Sequence, residues 1–343
     1  MVDDYPKVSV LIPTFNEEEI IQNRLDNLMD VEYPKGKVEI VIVDSGDDET
    51  VERAREYLAN QDIELTIIRQ TKRRGVASAV NIGVEQASGD IIFRTDADSR
   101  TSPGTLIEAV ETLSNEEIGA VTGQQSEVIG GSSVEQDYRN YLSTWQKIES
   151  KVDSTYICHG PCFAFEADLY KPLPENTIAD DTAEGLEIRR QGKYVKFNEK
   201  MEFAEAGASK FTSRRARKDR RAAGLVQTLI RNRDMLGKFG KYGRIILPVN
   251  WLLMIVMPIL GVLTFLGASL VSLVWIGPFG IVVPGLFVVA LWLGGREKLG
   301  PFQPIYSIID INTSLVSGII STLRSGNTSG MWDIDRSSRE EFR

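Results

Sequence analysis

Between residues 245 and 293 the chain carries no charged side chain, and this run constrains the fold more than any other feature. A membrane-crossing helix needs about 20 apolar residues, so the run has room for two. A soluble core helix of that length would keep a polar face, and none is present. Asn250, Trp251 and Gly277-Pro278 interrupt the run, and Gly277-Pro278 is the expected turn. The flanks are basic. From residue 210 to residue 244 the only acids are Asp219 and Asp234, and Arg296 and Lys298 follow the run. The positive-inside rule then puts both ends on the cytoplasmic side of a cell membrane. Residues 302–323 are apolar in part but include Asp310 and Asn312. They fit a third span or a helix lying in the interface, with the interface preferred.

The rest of the 343 residues read differently. The net charge is −9 and the first two hundred residues are acid-rich, so no nucleic-acid partner is expected. Met1-Val2-Asp3-Asp4 opens the chain without an apolar signal stretch, which predicts a first domain in the cytosol. The expected plan is a cytosolic domain over 1–209 and a basic interfacial helical segment over 210–244. Two transmembrane helices over 245–294 follow, then an amphipathic or third membrane segment with a tail over 295–343. Cys158 and Cys162 are the only cysteines and flank the only histidine, His159. Structural zinc wants four ligands, and a disulfide is not expected in the cytosol. Both cysteines read as small buried residues.

Strands and helices alternate in the first domain. Residues 8–12 are an apolar strand that ends at Pro13-Thr14-Phe15-Asn16-Glu17. Asn16 is placed to cap a helix whose stripe is Ile20, Ile21, Leu25 and Leu28. A strand over 38–43 runs into Asp44-Ser45-Gly46-Asp47-Asp48, followed by a helix over 49–60 and a strand over 64–69. Lys72-Arg73-Arg74-Gly75 leads to a helix over 76–87, and Gly89 precedes a strand over 91–93. This alternation predicts a mostly parallel, doubly wound α/β sheet. The loops after successive strands should open on one rim, with Arg73 and Arg74 bringing positive charge to phosphates. The chain has neither Gly-x-Gly-x-x-Gly nor Gly-Lys-Ser/Thr, which weakens dinucleotide and P-loop readings.

Asp96 and Asp98 follow the 91–93 strand with one small residue between them. Alternation along an extended chain points them the same way. Two such charges repel unless something offsets them. A hard divalent ion that also holds a diphosphate suits them; a solvated acidic turn is the plain alternative.

The ordered set Pro13-Thr14-Phe15-Asn16-Glu17, Val43-Asp44-Ser45-Gly46-Asp47-Asp48, Arg74-Gly75 with Ala79-x-Asn81-x-Gly83, and Asp96-Ala97-Asp98 resembles glycosyltransferase family 2. The resemblance continues through His159-Gly160-Pro161-Cys162-Phe163, Ala179-Asp180-Asp181-Thr182 and Arg217-x-x-Arg220-Arg221. Each motif alone is weak; the order and spacing are specific.

The resemblance implies an inverting transferase with a GT-A fold, a nucleotide-sugar donor and Mn2+ or Mg2+. Carried over by position, Pro13, Thr14 and Glu17 line the nucleotide pocket and Asp44 holds the base or ribose. Arg74, Arg217 and Arg220 serve the donor phosphates, Asp96 lies near the diphosphate-ribose, and Asp98 is the metal ligand. Asp181 matches the catalytic base, and Asp180 replaces the more usual Glu before it. Gly160, Cys162 and Asp180 lie on the acceptor side. A sugar hydroxyl needs a carboxylate to take its proton, and the departing diphosphate needs cations; a helix N-cap is the plain reading of Asp181. The family's Gln-x-x-Arg-Trp signature, typical of chain-extending synthases, is here Arg217-x-x-Arg220-Arg221. The missing aromatic favours single addition. The same arginines also suit anionic phospholipid headgroups.

The expected function is transfer of one sugar, from a UDP-sugar first and GDP-mannose next, to a lipid-linked polyprenyl- or dolichyl-phosphate acceptor. A processive polysaccharide synthase and an inactive membrane scaffold are the alternatives.

Overall fold

The structure is a computed structural model that describes residues 5–129, 133–206, 211–296 and 298–324. The expected boundary at 209/210 and the tail beyond 324 lie outside these residues.

Among the described residues eight strands form one mixed sheet: β1 (Val8–Thr14), β2 (Val38–Asp44), β3 (Glu64–Arg69), β4 (Ile91–Arg94), β5 (Ser99–Thr101), β6 (Ile118–Ile129), β7 (Phe163–Glu166) and β8 (Tyr194–Ala206). Their spatial order is β3-β2-β1-β4-β7-β6-β8-β5. The β3-β2-β1-β4 half is parallel, as the alternating pattern predicts; β7 enters antiparallel to both β4 and β6. The central strands are buried on both faces, which is why 8–12 and 38–43 read as continuous apolar runs.

Helices α1 (Ile21–Met29), α2 (Thr50–Leu58), α3 (Val76–Gln86) and α4 (Thr105–Leu113) cover the sheet, with α5 (Ser133–Val152), α6 (Asp180–Arg190) and α7 (Phe211–Arg231) following. One core lies beneath α1, α2 and α4, and a second beneath α3. Gly83 lets α3 settle on β1, since a Cβ there would stand 2.2 Å from Leu11 Cδ1. Asn81 fastens the chain ahead of α6, donating to Leu173 O and accepting from Leu173 N–H and Tyr170 O–H.

Asn16 departs from the expected cap. Helix α1 starts only at Ile21, and Asn16 instead adopts a left-handed φ of 55° while its Oδ1 accepts the Asp47 N–H. Asparagine visits that region at low penalty, and its side chain serves the neighbouring loop rather than the helix.

Two helices among the described residues are long and apolar enough to cross a membrane, Tyr242–Ile281 and Gly300–Arg324. The first widens into π turns at Tyr242–Ile246 and Leu252–Val256, just ahead of Pro248 and Pro258. Each proline lacks an N–H and crowds the carbonyl four residues back, and a wide turn relieves that clash. Gly277, with φ 65°, turns the chain, and Val282–Gly294 forms a shorter apolar helix. The outward faces carry Leu263, Leu266, Leu270, Val274 and Trp275, all exposed. In a water-soluble protein such a surface would be covered.

The final helix, Gln303–Arg324, packs along α7, where Gly318 meets Ala222 and Ala223. Asp310 on that helix is buried and receives Arg215 Nη1 at 2.6 Å and Lys218 Nζ at 3.0 Å. At the start of the long apolar helix, Asn250 donates to Glu149 Oε1 at 2.6 Å. The Tyr242 N–H reaches Asp153, itself paired with buried Arg189. The apolar helices are thus joined to the sheet domain through polar contacts from α5 and α6.

Candidate active site

The carboxyl ends of β1, β2 and β4 share one rim, because these strands are parallel and in register, Thr14 opposite Asp44 and Leu11 opposite Arg94. Thr14 Oγ1 donates to Asp44 Oδ1 at 2.7 Å, and the Gly46 N–H donates to Asp44 Oδ2. Burial pushes the Asp44 carboxyl up, and the Thr14 hydrogen bond works against that. Gly46 lies so close to Asn16 that a Cβ would stand 2.4 Å from its Oδ1. Pro13, Thr14, Glu17 and Asp44 therefore lie together at this rim, with Thr14, Glu17 and Asp44 buried and Glu17 N–H donating to Thr50 Oγ1. Arg73 stacks over the Phe15 ring at 3.8 Å, whereas Arg74 faces the surface and pairs with Glu175 at 3.5 Å.

Beyond Arg94 the chain leaves the sheet in a turn that carries Asp96 and Asp98, both half-buried on either side of buried Ala97. Burial and then the charge of Asp98 push the Asp96 carboxyl up to about 7, with Arg94 opposing. Two buried arginines bracket this turn. Arg24, on the apolar stripe of α1, donates to Thr95 Oγ1 at 2.6 Å and to Ser99 O at 3.0 Å. Burial lowers Arg24 to about 10, and Asp96 and Asp98 oppose the shift. Arg94 points the other way, pairing with Asp180 and lying 3.9 Å from Glu184 Oε2. Burial acts against its charge, but Asp180, Asp181, Asp96 and Glu184 together outweigh it and raise its pKa.

Asp181 is half-buried in the first turn of α6. Its Oδ2 accepts the Gly160 N–H at 2.8 Å and its Oδ1 the Thr182 N–H at 2.6 Å. The residue before the helix is Ala179, so Asp181 is not an N-cap. The Gly160–Cys162 turn reaches the same rim because β7 pairs with β4 and Thr95 Oγ1 donates to Pro161 O. Two residues expected on the acceptor side turn inward. The Cys162 thiol is fully buried near Met201 O, and Asp180 is buried against Arg94. Side chains at these places fill the core or balance charge, and Gly160, also buried, contributes its backbone N–H to Asp181. Both cysteines are free and buried. His159 has its pKa lowered well below the ordinary value by burial, then by Arg221 and Arg139.

Helix α7 packs against α6. Arg217 donates to Ala206 O at 2.9 Å. Burial lowers the Arg220 pKa, as do Arg221 and Arg217, while Asp180 and Asp96 pull it back up. Arg220 thus lies within electrostatic reach of both the 96–98 turn and the Asp180–Asp181 pair.

Arg24, Arg94 and Glu184 escaped the sequence reading. The signal was present, because Arg24 interrupts the Ile20, Ile21, Leu25, Leu28 stripe and Arg94 ends a buried strand. A charge at either place requires a partner.

Residues 9–173 match the family model of glycosyl transferase family 2. The N-terminal domain belongs to glycosyl transferase family 2. The family 2 domain is 37% identical over 124 residues to glycosyltransferase AglE of Haloferax volcanii, covering 36% of this chain and 40% of that protein. It is 36% identical over 144 residues to a dolichol-phosphate mannosyltransferase of Pyrococcus furiosus, covering 40% of this chain and 38% of that protein. The chain thus spans about two fifths of the length of these curated relatives. Among solved structures, the mannosyltransferase PcManGT of Pyrobaculum calidifontis, in complex with GDP-Man and Mn2+, superposes with a TM-score of 0.74 at 27% identity. That match covers 94% of this chain and 88% of PcManGT, so it extends past the family 2 domain into the helices beyond. The mixed sheet has the GT-A arrangement that the motifs implied.

Proposed function

We propose that this protein is a membrane-bound inverting glycosyltransferase that moves one sugar from a nucleotide-diphosphate donor to a lipid-linked acceptor. The observation that carries the reading is that the Asp96–Asp98 turn and the Asp181 carboxylate flank one buried cation, Arg94, with Arg220 within electrostatic reach of Asp96 and Asp180. Helix α7 connects that site to the apolar helices.

In this reading Thr14, Glu17 and Asp44 receive the nucleoside, and Asp96 orients the ribose-diphosphate. Among the described residues no three metal-ligating side chains gather. A hard cation at Asp98 would therefore complete its shell with donor oxygens and water, which fits Mn2+ or Mg2+. Asp96, with its carboxyl pushed up by burial and then by the neighbouring Asp98 charge, fits the same assignment. A bound cation would neutralise charge on the departing diphosphate; Arg217 and Arg220 add fixed positive charge.

Asp181 serves as the base. Each oxygen accepts one N–H in the structure, and each retains acceptor capacity for a hydroxyl proton. Such a base is needed when the acceptor is a sugar hydroxyl. A phosphate monoester is already charged at neutral pH and needs none. Asp181 therefore favours a hydroxyl on a lipid-linked sugar over the bare lipid phosphate.

The likeness to PcManGT over most of both chains supports GDP-mannose ahead of the UDP-sugars that the motifs first suggest. Exposed apolar side chains on the 242–281 helix and the basic α7 support a place at the membrane surface, with phospholipid headgroups beside the active site. The cytosolic face follows from the flanking charges.

The deciding experiment is a donor screen. Purified full-length protein in lipid nanodiscs is given GDP-mannose, UDP-glucose or UDP-N-acetylglucosamine with Mn2+ and a membrane lipid extract, and products are read by mass spectrometry. One added hexose from GDP-mannose, lost in Asp98→Ala and Asp181→Asn, is the expected result. A ladder of products would point to a polysaccharide synthase. An inactive scaffold would give neither product nor nucleotide binding.

A further inference from the structure

Buried charges of both signs surround Asp181. Arg94 is 3% exposed, Glu184 2% and Asp180 7%. The guanidinium pairs with Asp180 and stands 3.9 Å from Glu184 Oε2. Neither Glu184 oxygen accepts a hydrogen bond, so Arg94 is the nearby compensation for that carboxyl. A buried acid without such a partner is strongly destabilising.

Arg94 also backs the peptide that holds the base. A Cβ built at Gly160 would stand 3.3 Å from Arg94 Nη2 and 3.5 Å from Asp181 Oδ2. Gly160 thus abuts both the guanidinium and the carboxylate to which its N–H donates. Arg94 is held on both sides by the sheet, opposite Leu11 in β1 and Phe163 in β7, and it stands two residues ahead of Asp96. One strand end therefore carries both the donor carboxylates and the cation that grips α6.

We propose that Arg94 is a positioning residue for sugar transfer. Through Asp180 and the Gly160 peptide it fixes the direction of the Asp181 carboxylate relative to the Asp96–Asp98 turn. This rests on the reading of Asp181 as the base. Arg94 touches neither donor nor acceptor; its effect falls on the transfer step rather than on donor binding.

The test uses full-length protein in nanodiscs. Lysine at 94 keeps the charge but lacks the planar fork that spans two partners. Arg94→Lys is expected to melt near wild type, to bind GDP with Mn2+ unchanged, and to keep the KM for GDP-mannose. Its kcat should fall by about 10–100-fold, the scale on which a small misplacement of a reacting group acts. Arg94→Gln leaves two buried acids uncompensated and is expected to lose stability. Adding Glu184→Gln to it removes one of those acids and should recover melting temperature without recovering kcat. Wild-type kcat in Arg94→Lys, or recovery of kcat together with stability in Arg94→Gln/Glu184→Gln, overturns the proposal. So does a parallel loss of GDP binding and turnover. Asp181→Asn separates the two readings. If it turns over normally, the base assignment fails. If it is inactive while Arg94→Lys is normal, only the positioning role fails.

Discussion

Gly160 donates its backbone N–H to Asp181 Oδ2 at 2.8 Å, and this bond joins the turn before β7 to the first turn of α6. It holds the Asp181 carboxylate without any side chain from the turn. Its consequence is a narrow tolerance at position 160. A Cβ there meets Arg94 Nη2 at 3.3 Å, and a guanidinium held by two acids has little room to yield. Gly160→Ala is expected to lower kcat by about tenfold or more, with a small change in melting temperature. Steady-state kinetics beside a thermal melt check it, and unchanged kcat would show that the turn yields.

Arg24 holds the other side of the Asp96–Asp98 turn through Thr95 Oγ1 and Ser99 O. Arg24→Met retains much of the volume but removes both bonds and a cation near two acids. Breaking buried charge-assisted bonds typically destabilises by about 2–4 kcal/mol. The expected outcome is a lower unfolding midpoint and weaker Mn2+-dependent GDP binding. Calorimetric titration reads the second effect, and full GDP affinity in a folded variant counts against the clamp.

Glu39 gives a pH dependence remote from the candidate site. Burial tends to raise its pKa, but hydrogen bonds from Ser9 and Ser88, with the Lys7 charge, outweigh it and lower the value. A lowered folded-state pKa means that the unfolded chain takes up the proton first. The contribution is fully present above the ordinary glutamate range and is lost as pH falls through the folded value. Stability of Glu39→Gln should therefore change less than that of wild type between about pH 5 and pH 3. Thermal melts across that range test it, and parallel curves would rule it out.

Asp310 accepts from both Arg215 and Lys218, tying the final helix to α7. Asp310→Ala leaves two cations facing an apolar helix and is expected to loosen that joint by about 1–3 kcal/mol. Limited proteolysis between α7 and residue 324 reads the loosening. A digestion pattern identical to wild type would mean that the Gly318 contact suffices.

Much of the α/β architecture was legible from local pattern. The strand over Glu64–Arg69 was read at its observed bounds, and 8–12 and 38–43 fell within β1 and β2, because parallel central strands are apolar on both faces. Asn16 was misread because a cap and a left-handed loop residue use the same side-chain chemistry. The burial of Cys162 was legible from its residue type, but the inward turn of Asp180 was not. Which way Asp180 faces depends on its meeting Arg94, a partner from a distant strand that no local signal marks.

The sequence by itself determined the apolar run, the alternating elements and the ordered acidic motifs, since each follows from residues near one another along the chain. Only the tertiary structure decided which charges answer one another. Gly160 and Asp181 come from separate segments and are joined by a hydrogen bond, and Arg220, from a third, feels the charges of Asp96 and Asp180. Arg94 acquires its meaning from Asp180 and Glu184. A buried charge is tolerated only beside its partner, and distance along the chain does not reveal that partner.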